Sequence, residues 1–335
     1  MLESVRRHLP GAELVLSTWR GADVTGLPFD VLVESDDPGG LRCDGWPDTR
    51  SPAPLPYNAN RQIVSSRNGL RAASRPYAMK LRSDMMLTGT GFLDYVGRYP
   101  ARSPEWRVLR ERVIVPNWWS QNPRGRSRKP FHPSDWFHFG RREDVLDVWD
   151  VPLADERMSL WYATRPHPPE YRDTHVSYRY TVEQYTWLAF LRKYGDVALE
   201  HAFDARAEML SLSELTLANN LVVVDVAALG LRFLKYRNAR AYWGSLYTHG
   251  EWQELYRLYC DPGYVCPPDP VRWRKELYAR WVEPWHRVLT EPRSAAVVRR
   301  ASTAWEARAP RSFRATRAAY LSGLSALSRA PWRRA

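Results

Sequence analysis

Short apolar runs of strand length alternate with helix-forming segments over the first 120 residues of the chain. Leu2, Val5 and Leu9 recur at helical spacing, and Pro10-Gly11 ends that helix. Strands are predicted at 13–19, 30–34, 77–81 and 112–115, with a helix at about 60–73. This order predicts an α/β layer architecture with short crossovers between its elements.

A charged triplet, Arg82-Ser83-Asp84, follows the third predicted strand where the chain must turn. In open α/β sheets the crevice beyond the carboxyl ends of the strands collects ligands. A carboxylate there can hold a divalent cation, and an arginine can neutralise phosphate oxygens. The alternative for so short a match is a solvated ion pair on a surface turn, and the neighbouring motifs decide between the two.

The net charge of +12 is unevenly distributed along the 335 residues. From Glu291 to Ala335 there are ten arginines and two acidic residues, so the preceding 290 residues carry a charge of only +4. A duplex-binding domain would spread its basic residues over a folded face, which makes nucleic acid an unfavoured partner. The Arg-rich segment also carries apolar residues on one side, and it would suit a membrane surface or a protein groove.

Several classes of protein lack support in the sequence. No run approaches the roughly 18 to 20 apolar residues of a membrane span, and the amino terminus has no apolar signal region, so we expect the chain to work in the cytoplasm. The three cysteines have no metal-site spacing and are interpreted as ordinary thiols. Walker, Gly-x-Gly-x-x-Gly and Gly-x-Ser-x-Gly motifs are absent.

Three carboxylates have distinctive settings. Asp84 lies at a strand end, Asp135 lies in an aromatic-rich turn between His132 and His138, and Glu183 lies in the first turn of a helix. That helix begins at Thr181, which forms a predicted capping box with Gln184. The histidine spacing does not match a helical metal site, so we expect one of these three turn residues to be a ligand or base and the others to pack. Such roles suit a transferase that acts on a sugar nucleotide.

Six blocks of residues follow one another in a distinctive order. They are Ser4 to Trp19, Asp36-Asp37-Pro38-Gly39, Asn60-Arg61-Gln62, Lys80 to Asp84, His132-Pro133-Ser134-Asp135 and Glu183-Gln184-Tyr185. In this order the blocks resemble the WavE lipopolysaccharide synthesis family. The resemblance covers the chain from about Ser4 to Leu231, and the shared order is more specific than any single block.

The resemblance implies a nucleotide-sugar glycosyltransferase with a GT-A-like, α/β/α layered domain. It places Asp84 as the ligand of a divalent metal, Mn²⁺ or Mg²⁺, with Asp135 as the first candidate for the catalytic base and Glu183 as the second. His132 and Tyr185 are assigned to the acceptor site or pocket. The implied donor-binding residues are Ser17, Thr18, Trp19, Asn60, Arg61, Gln62, Arg82 and Ser83.

Two departures from that pattern matter. The Asp-x-Asp motif of GT-A enzymes has two acidic ends, whereas Arg82 stands at the first position here, so metal binding depends on Asp84 alone. Proteins of this type also begin with a strand before the helix that starts here at Leu2, so we expect a domain without its first strand. The predicted domains are the GT-A-like residues 1–262 and a helical, Arg-rich extension at 263–335.

The leading functional hypothesis is transfer of a sugar from a nucleotide-sugar donor to a lipid-linked or lipopolysaccharide acceptor at the inner face of the plasma membrane. The Arg-rich extension is predicted to contact anionic lipid headgroups as a peripheral anchor. The alternative is a non-catalytic binding protein, either a degenerate glycan-binding relative or a nucleic-acid binder that uses the basic segment and the tryptophans.

Overall fold

The computed structural model describes residues 1–44, 55–125, 128–171, 174–233, 244–281, 301–316 and 318–319. The chain divides into two compact units, one within Met1–Ala239 and Ser245–Arg272 and the other within Arg240–Gly244 and Trp273–Ala335. Residues 45–54 and most of the Arg-rich segment lie outside the described residues.

The helices and strands follow one another in a mixed order. The helices are α1 (Leu2–His8), α2 (Ala59–Ala72), α3 (Arg142–Trp149), α4 (Glu156–Ser159), α5 (Val182–Leu191), α6 (Ala207–Asn220), α7 (Val226–Leu229), α8 (His249–Tyr259) and α9 (Arg272–Trp281). The strands are β1 (Val15–Trp19), β2 (Val31–Ser35), β3 (Tyr77–Leu81), β4 (Met85–Leu87), β5 (Val113–Pro116), β6 (Phe137–Arg141), β7 (Leu221–Val224) and β8 (Leu231–Phe233).

Among the described residues the strands form three small sheets. β1 and β2 are a parallel pair, and β4 and β8 are an antiparallel pair. The largest sheet has the order β3-β6-β5-β7, in which β6 runs antiparallel to both neighbours and β5 runs parallel to β7. The mixed α/β class predicted from the sequence is therefore confirmed.

Helices cover these sheets and supply most of the large core residues. α2, α3 and α5 pack with one another and against the strands β1, β2, β3 and β6, whereas α6 and α8 pack against β7. Trp149, Trp187 and Trp252 are among the largest fully buried side chains. These three tryptophans are therefore core residues.

The predicted elements correspond closely to observed ones over the first 120 residues. α1, β1, β2, β3 and β5 are confirmed within a few residues, and the predicted capping box at Thr181 is present. Asn58 occupies the position before α2 and makes no side-chain capping bond. The sequence interpretation missed β6, α6 and α8, of which β6 proves central to the site.

The second unit is helical where it is described. α9 extends from Arg272 to Trp281, and residues 301–308 and 311–316 are also helical. The rest of the predicted helical extension, residues 282–300, 317 and 320–335, lies outside the described residues. No helix in the described part of the chain is long and apolar enough to cross a membrane.

Two asparagines at the end of α6 hold an irregular segment, residues 103–109, in place through hydrogen bonds. The Asn220 side-chain oxygen accepts bonds from the backbone N–H groups of Val108 and Leu109, each at 3.1 Å, and its nitrogen donates to the Trp106 carbonyl at 2.7 Å. Asn219 bonds Ser103 in the same way. Since both asparagines are fully buried, these bonds replace water for the backbone of the segment.

We predict that Asn220→Ala lowers the free energy of unfolding by about 3 kcal/mol, because two buried backbone N–H groups lose their acceptor. Glu208→Ala, on the exposed start of the same helix, should cost less than about 1 kcal/mol. Chemical denaturation monitored by tryptophan fluorescence checks both. Equal losses for the two variants would show that the asparagine is not an anchor.

Candidate active site

The register between β3 and β6 brings the charged triplet against the aromatic turn. Lys80 is paired with His138 and Leu81 with Phe137, so Arg82 continues toward Trp136. The Arg82 guanidinium lies 5.1 Å from the Trp136 ring centroid, and the Lys80 ammonium donates a hydrogen bond to the backbone carbonyl of Asp135. Strand pairing thus joins two motifs that are about 50 residues apart in the sequence.

The turn before β6 is held by the loop that follows β5. The backbone N–H of Gln121 donates to the His132 carbonyl at 2.9 Å, and the N–H of Ser134 donates to the Ser120 hydroxyl at 3.0 Å. Trp119 and Phe131 both have left-handed backbones, with φ of 67° and 54°. Residues other than glycine in this region carry strain that the surrounding contacts must offset, and such strain concentrates at functional sites.

Helix α5 begins directly beside this turn. The Thr181–Gln184 capping box fixes the first turn of the helix, and the Gln184 amide also donates to the Pro130 carbonyl at 2.8 Å. Glu183 lies between these two anchors, and its Oε2 is 3.6 Å from Nε2 of His132. The structure therefore brings together two residues that the sequence placed in separate motifs.

His132 faces the Glu183 carboxyl group with a ring nitrogen that can accept a hydrogen bond. Nδ1 of His132 lies 3.1 Å from the Trp119 carbonyl oxygen, which only accepts, so Nδ1 carries the hydrogen. Burial, with a contribution from Lys129, lowers the pKa of His132 to about 3, which leaves Nε2 with a lone pair. Burial raises the pKa of Glu183, so a proton on its carboxyl group would face that lone pair.

Asp135 is a buried carboxylate without a hydrogen-bond partner among the described residues. Its side chain is 4% exposed, and neither carboxylate oxygen has a partner. Burial raises the pKa of Asp135, and the charge of Glu183 raises it further, while Lys80 and Arg82 oppose the shift. A carboxylate of raised pKa with both oxygens unsatisfied is suited to accept a proton from a bound hydroxyl group.

Lys80 places a positive charge near the carboxylates of Asp135, Asp84 and Glu183. Its ammonium lies 4.5 Å from the Trp149 ring centroid and is buried. Burial lowers the pKa of Lys80 to about 8, although Asp135, Asp84 and Glu183 favour its charged form. At neutral pH the group is mostly protonated, so it stabilises negative charge in the site.

Arg82 and Asp84 form a bidentate ion pair. Nε and Nη2 of the guanidinium donate to the two carboxylate oxygens, each at 3.0 Å. A divalent cation at Asp84 would have to share both oxygens with this positive charge, and the described residues contain no group of three histidine, cysteine or acidic side chains arranged for a metal. The residues therefore do not fit the predicted Mn²⁺ or Mg²⁺, which stays a prediction from the resemblance.

The other implied donor residues lie at the ends of β1 and β2. Ser17, Thr18 and Trp19 pair in parallel with Val33, Glu34 and Ser35. The Ser17 hydroxyl is buried without a hydrogen-bond partner among the described residues. These positions resemble the ligand crevice at the carboxyl ends of parallel strands.

The first turn of α2 contributes its residues in different ways. The Asn60 amide is committed to the backbone of Ala154, through bonds of 2.7 and 3.0 Å, and so serves the fold. Arg61 is paired with Asp37 at 2.7 Å, and Gln62 keeps a buried side-chain oxygen without a partner in the described structure. Their predicted role in donor binding stays a prediction.

Tyr185 and Ser83 complete the predicted set. The Tyr185 hydroxyl donates to the Pro152 carbonyl at 3.1 Å, away from the His132–Glu183 pair. Ser83 lies at the centre of the turn between β3 and β4, directly beside the Arg82–Asp84 ion pair. The assignment of Tyr185 to the acceptor pocket also stays a prediction.

Three residues of the cluster were not assigned from the sequence. Lys80 lies two residues before Arg82, and the two-residue period of a strand could have placed both side chains on one face. Tyr57, whose buried hydroxyl lacks a partner among the described residues, has its pKa raised by burial and by Glu183. Lys129 influences His132 and Glu183 electrostatically.

The fold and site define a mixed α/β protein with a buried acid–base cluster at the end of its main sheet. A sequence profile of the WavE lipopolysaccharide synthesis family matches residues 1–286, so the chain belongs to that family. The family description indicates a role in lipopolysaccharide synthesis. Searches of curated proteins and of solved structures find no match.

We predict opposite stability effects for two buried aspartates. Asp144 accepts bonds from the backbone N–H groups of Arg110 and Glu111, each at 2.9 Å, so Asp144→Asn should lower the free energy of unfolding by about 1 to 3 kcal/mol. Asp135→Asn should leave it unchanged or raise it, because an uncharged amide costs less to bury than a carboxylate.

The pH dependence separates these effects further. The pKa of Asp135 is raised on folding, so its cost grows as pH rises above the ordinary carboxyl pKa. The gain from Asp135→Asn should therefore be largest at neutral pH and vanish below about pH 4. Urea denaturation at pH 4 and pH 7.5 measures it, and a loss of stability at pH 7.5 would mean that the carboxylate has a favourable partner.

Proposed function

We propose that this protein is a glycosyltransferase that moves a sugar from a nucleotide-sugar donor to a lipopolysaccharide or other surface-glycan acceptor. The observation that carries the proposal is the buried cluster of Asp135, Glu183, His132 and Lys80 in a chain of a lipopolysaccharide synthesis family. Sugar transfer needs a base for the acceptor hydroxyl and positive charge for the leaving diphosphate, and this cluster contains both.

Asp135 is the base in the proposed reaction. Its carboxylate takes the proton of an acceptor hydroxyl as that oxygen forms a bond to the anomeric carbon of the donor sugar. The bond between the anomeric carbon and the phosphate oxygen breaks, and the nucleoside diphosphate leaves with the electron pair. The unsatisfied carboxylate oxygens of Asp135 support this role, since a bound hydroxyl would supply the missing hydrogen bond.

Glu183 and His132 adjust the charge of the site around that base. A proton on Glu183 removes a negative charge beside Asp135, and the 3.6 Å contact with Nε2 of His132 offers an acceptor for the same proton. Two carboxylates that interact in this way titrate as a pair rather than independently. The second candidate base, Glu183, is thus assigned to proton storage rather than to the acceptor.

The GT-A-like fold is part of the proposal. The parallel pair β1–β2 followed by α2, and the charged turn after β3, have the arrangement expected for a nucleotide crevice at strand ends. The carboxyl ends of β1 and β2 carry Trp19 and Asp37, and Arg61 of α2 contacts Asp37. These residues are proposed to contact the nucleotide of the donor.

Incubation with a panel of nucleotide sugars, with and without a lipopolysaccharide core acceptor, tests the activity. We expect release of the nucleoside diphosphate from one donor, and a loss of at least about 100-fold in Asp135→Asn with donor binding retained. Asp150→Asn, an exposed aspartate, is the matched control. Binding of a glycan without turnover of any donor would instead favour a non-catalytic glycan-binding protein, and salt-sensitive retention of residues 1–281 on DNA would favour a nucleic-acid binder.

The Arg-rich extension is proposed to contact anionic lipid, because ten arginines lie between Glu291 and Ala335. Flotation with liposomes that contain anionic lipid should recover the full chain, and a chain shortened after residue 281 should stay unbound. Raising the salt concentration should release the full chain, since each basic residue contributes about 1 kcal/mol through screened attraction. Equal recovery of the two chains would dismiss this membrane contact.

A further inference from the structure

Because Arg82 and Asp84 form an ion pair, the charged turn carries no net negative charge from these two residues, unlike an acidic metal motif. Both oxygens of Asp84 accept hydrogen bonds from one guanidinium, and about a quarter of each side chain is exposed. A carboxylate used in this way is already neutralised, so its remaining attraction for a divalent cation is weak. The arginine occupies the place beside Asp84 that a cation would take.

The guanidinium is held in one orientation. Asp84 fixes its plane from one side through two parallel bonds, and the buried Trp136 ring lies 5.1 Å from its centre. An arginine that is fixed before the ligand arrives loses little conformational entropy on binding, and the planar group matches the geometry of phosphate oxygens. The exposed quarter of the side chain leaves it reachable from solvent.

A second cation lies on the same side of the strand. Lys80 precedes Arg82 by two residues, and its ammonium is anchored by the Asp135 carbonyl and by the Trp149 ring. The two side chains interact electrostatically, so their charges act within one site. Together they can supply two positive charges where a metal-dependent enzyme would place a divalent ion.

We propose that Arg82 and Lys80 neutralise the donor diphosphate in place of a divalent cation, and that Asp84 is the positioning residue that orients Arg82. This inference rests on the proposed function, since it concerns the donor of that reaction. It replaces the assignment of Asp84 as a metal ligand with an assignment in which the carboxylate never contacts the donor. It also gives Arg82, the residue that departs from the Asp-x-Asp motif, a direct role in binding the diphosphate.

Isothermal titration with UDP, GDP, ADP and CMP, in EDTA and then in Mn²⁺ or Mg²⁺, tests the inference by binding alone. The best nucleotide should bind with the same Kd in both buffers, within about twofold. Arg82→Lys keeps the charge but loses the planar fork, so it should weaken binding by about tenfold or more. Asp84→Asn should weaken binding about threefold to tenfold, and by the same factor in EDTA and in Mn²⁺.

A second ion pair of the same geometry provides the control. Arg42 and Asp44 are also two residues apart and also bidentate, with distances of 3.0 and 3.1 Å. Arg42→Lys and Asp44→Asn should leave nucleotide binding unchanged. Thermal denaturation of the four variants shows whether each one folds, and Mn²⁺ titration followed by electron paramagnetic resonance should give the same weak binding in the wild type and in Asp84→Asn.

The outcomes distinguish a failure of this inference from a failure of the proposed function. Nucleotide binding that requires Mn²⁺ and is lost in Asp84→Asn would overturn the inference and restore Asp84 as a metal ligand, while the glycosyltransferase function stands. Binding that is metal-independent but insensitive to Arg82→Lys would also overturn it. The absence of nucleotide binding in every buffer would contradict the proposed function itself, and the inference with it.

Discussion

The antiparallel pairing of β3 with β6 is the constraint on which the candidate site depends. Its register sets Lys80 opposite His138 and carries Arg82 onto Trp136. A shift of one residue would turn Lys80 to the other face of the sheet and separate Arg82 from the aromatic turn.

The elements that were predictable from the sequence have a local signal. β1, β2, β3 and β5 are apolar runs bounded by turn residues, and the capping box at Thr181 is a four-residue pattern that needs no tertiary contact. The capping box of Thr248 and Glu251 is an equally local signal, and it could have identified α8. Elements of this kind are specified by neighbours in sequence.

The elements that the sequence did not reveal, such as β6 and α6, are buried on more than one side. Four consecutive residues of β6 are buried, so the strand lacks the alternation of a half-exposed strand. α6 buries polar residues such as Ser213 and Asn220, which bond backbone groups about 80 to 110 residues away. Similarly, the sequence identified Asp135, Glu183 and His132 as separate candidates, but their common cluster depends on contacts of long range.

The buried amine of Lys80 makes the charge of the site depend on what the site contains. With a pKa of about 8 in the unliganded protein, the amine is partly neutral in mildly alkaline solution. A dianionic ligand nearby would favour the ammonium form, so ligand binding and proton uptake become one linked event. By positioning Lys80, β3 therefore also makes the proton a co-ligand of the protein, so that ligand affinity depends on pH.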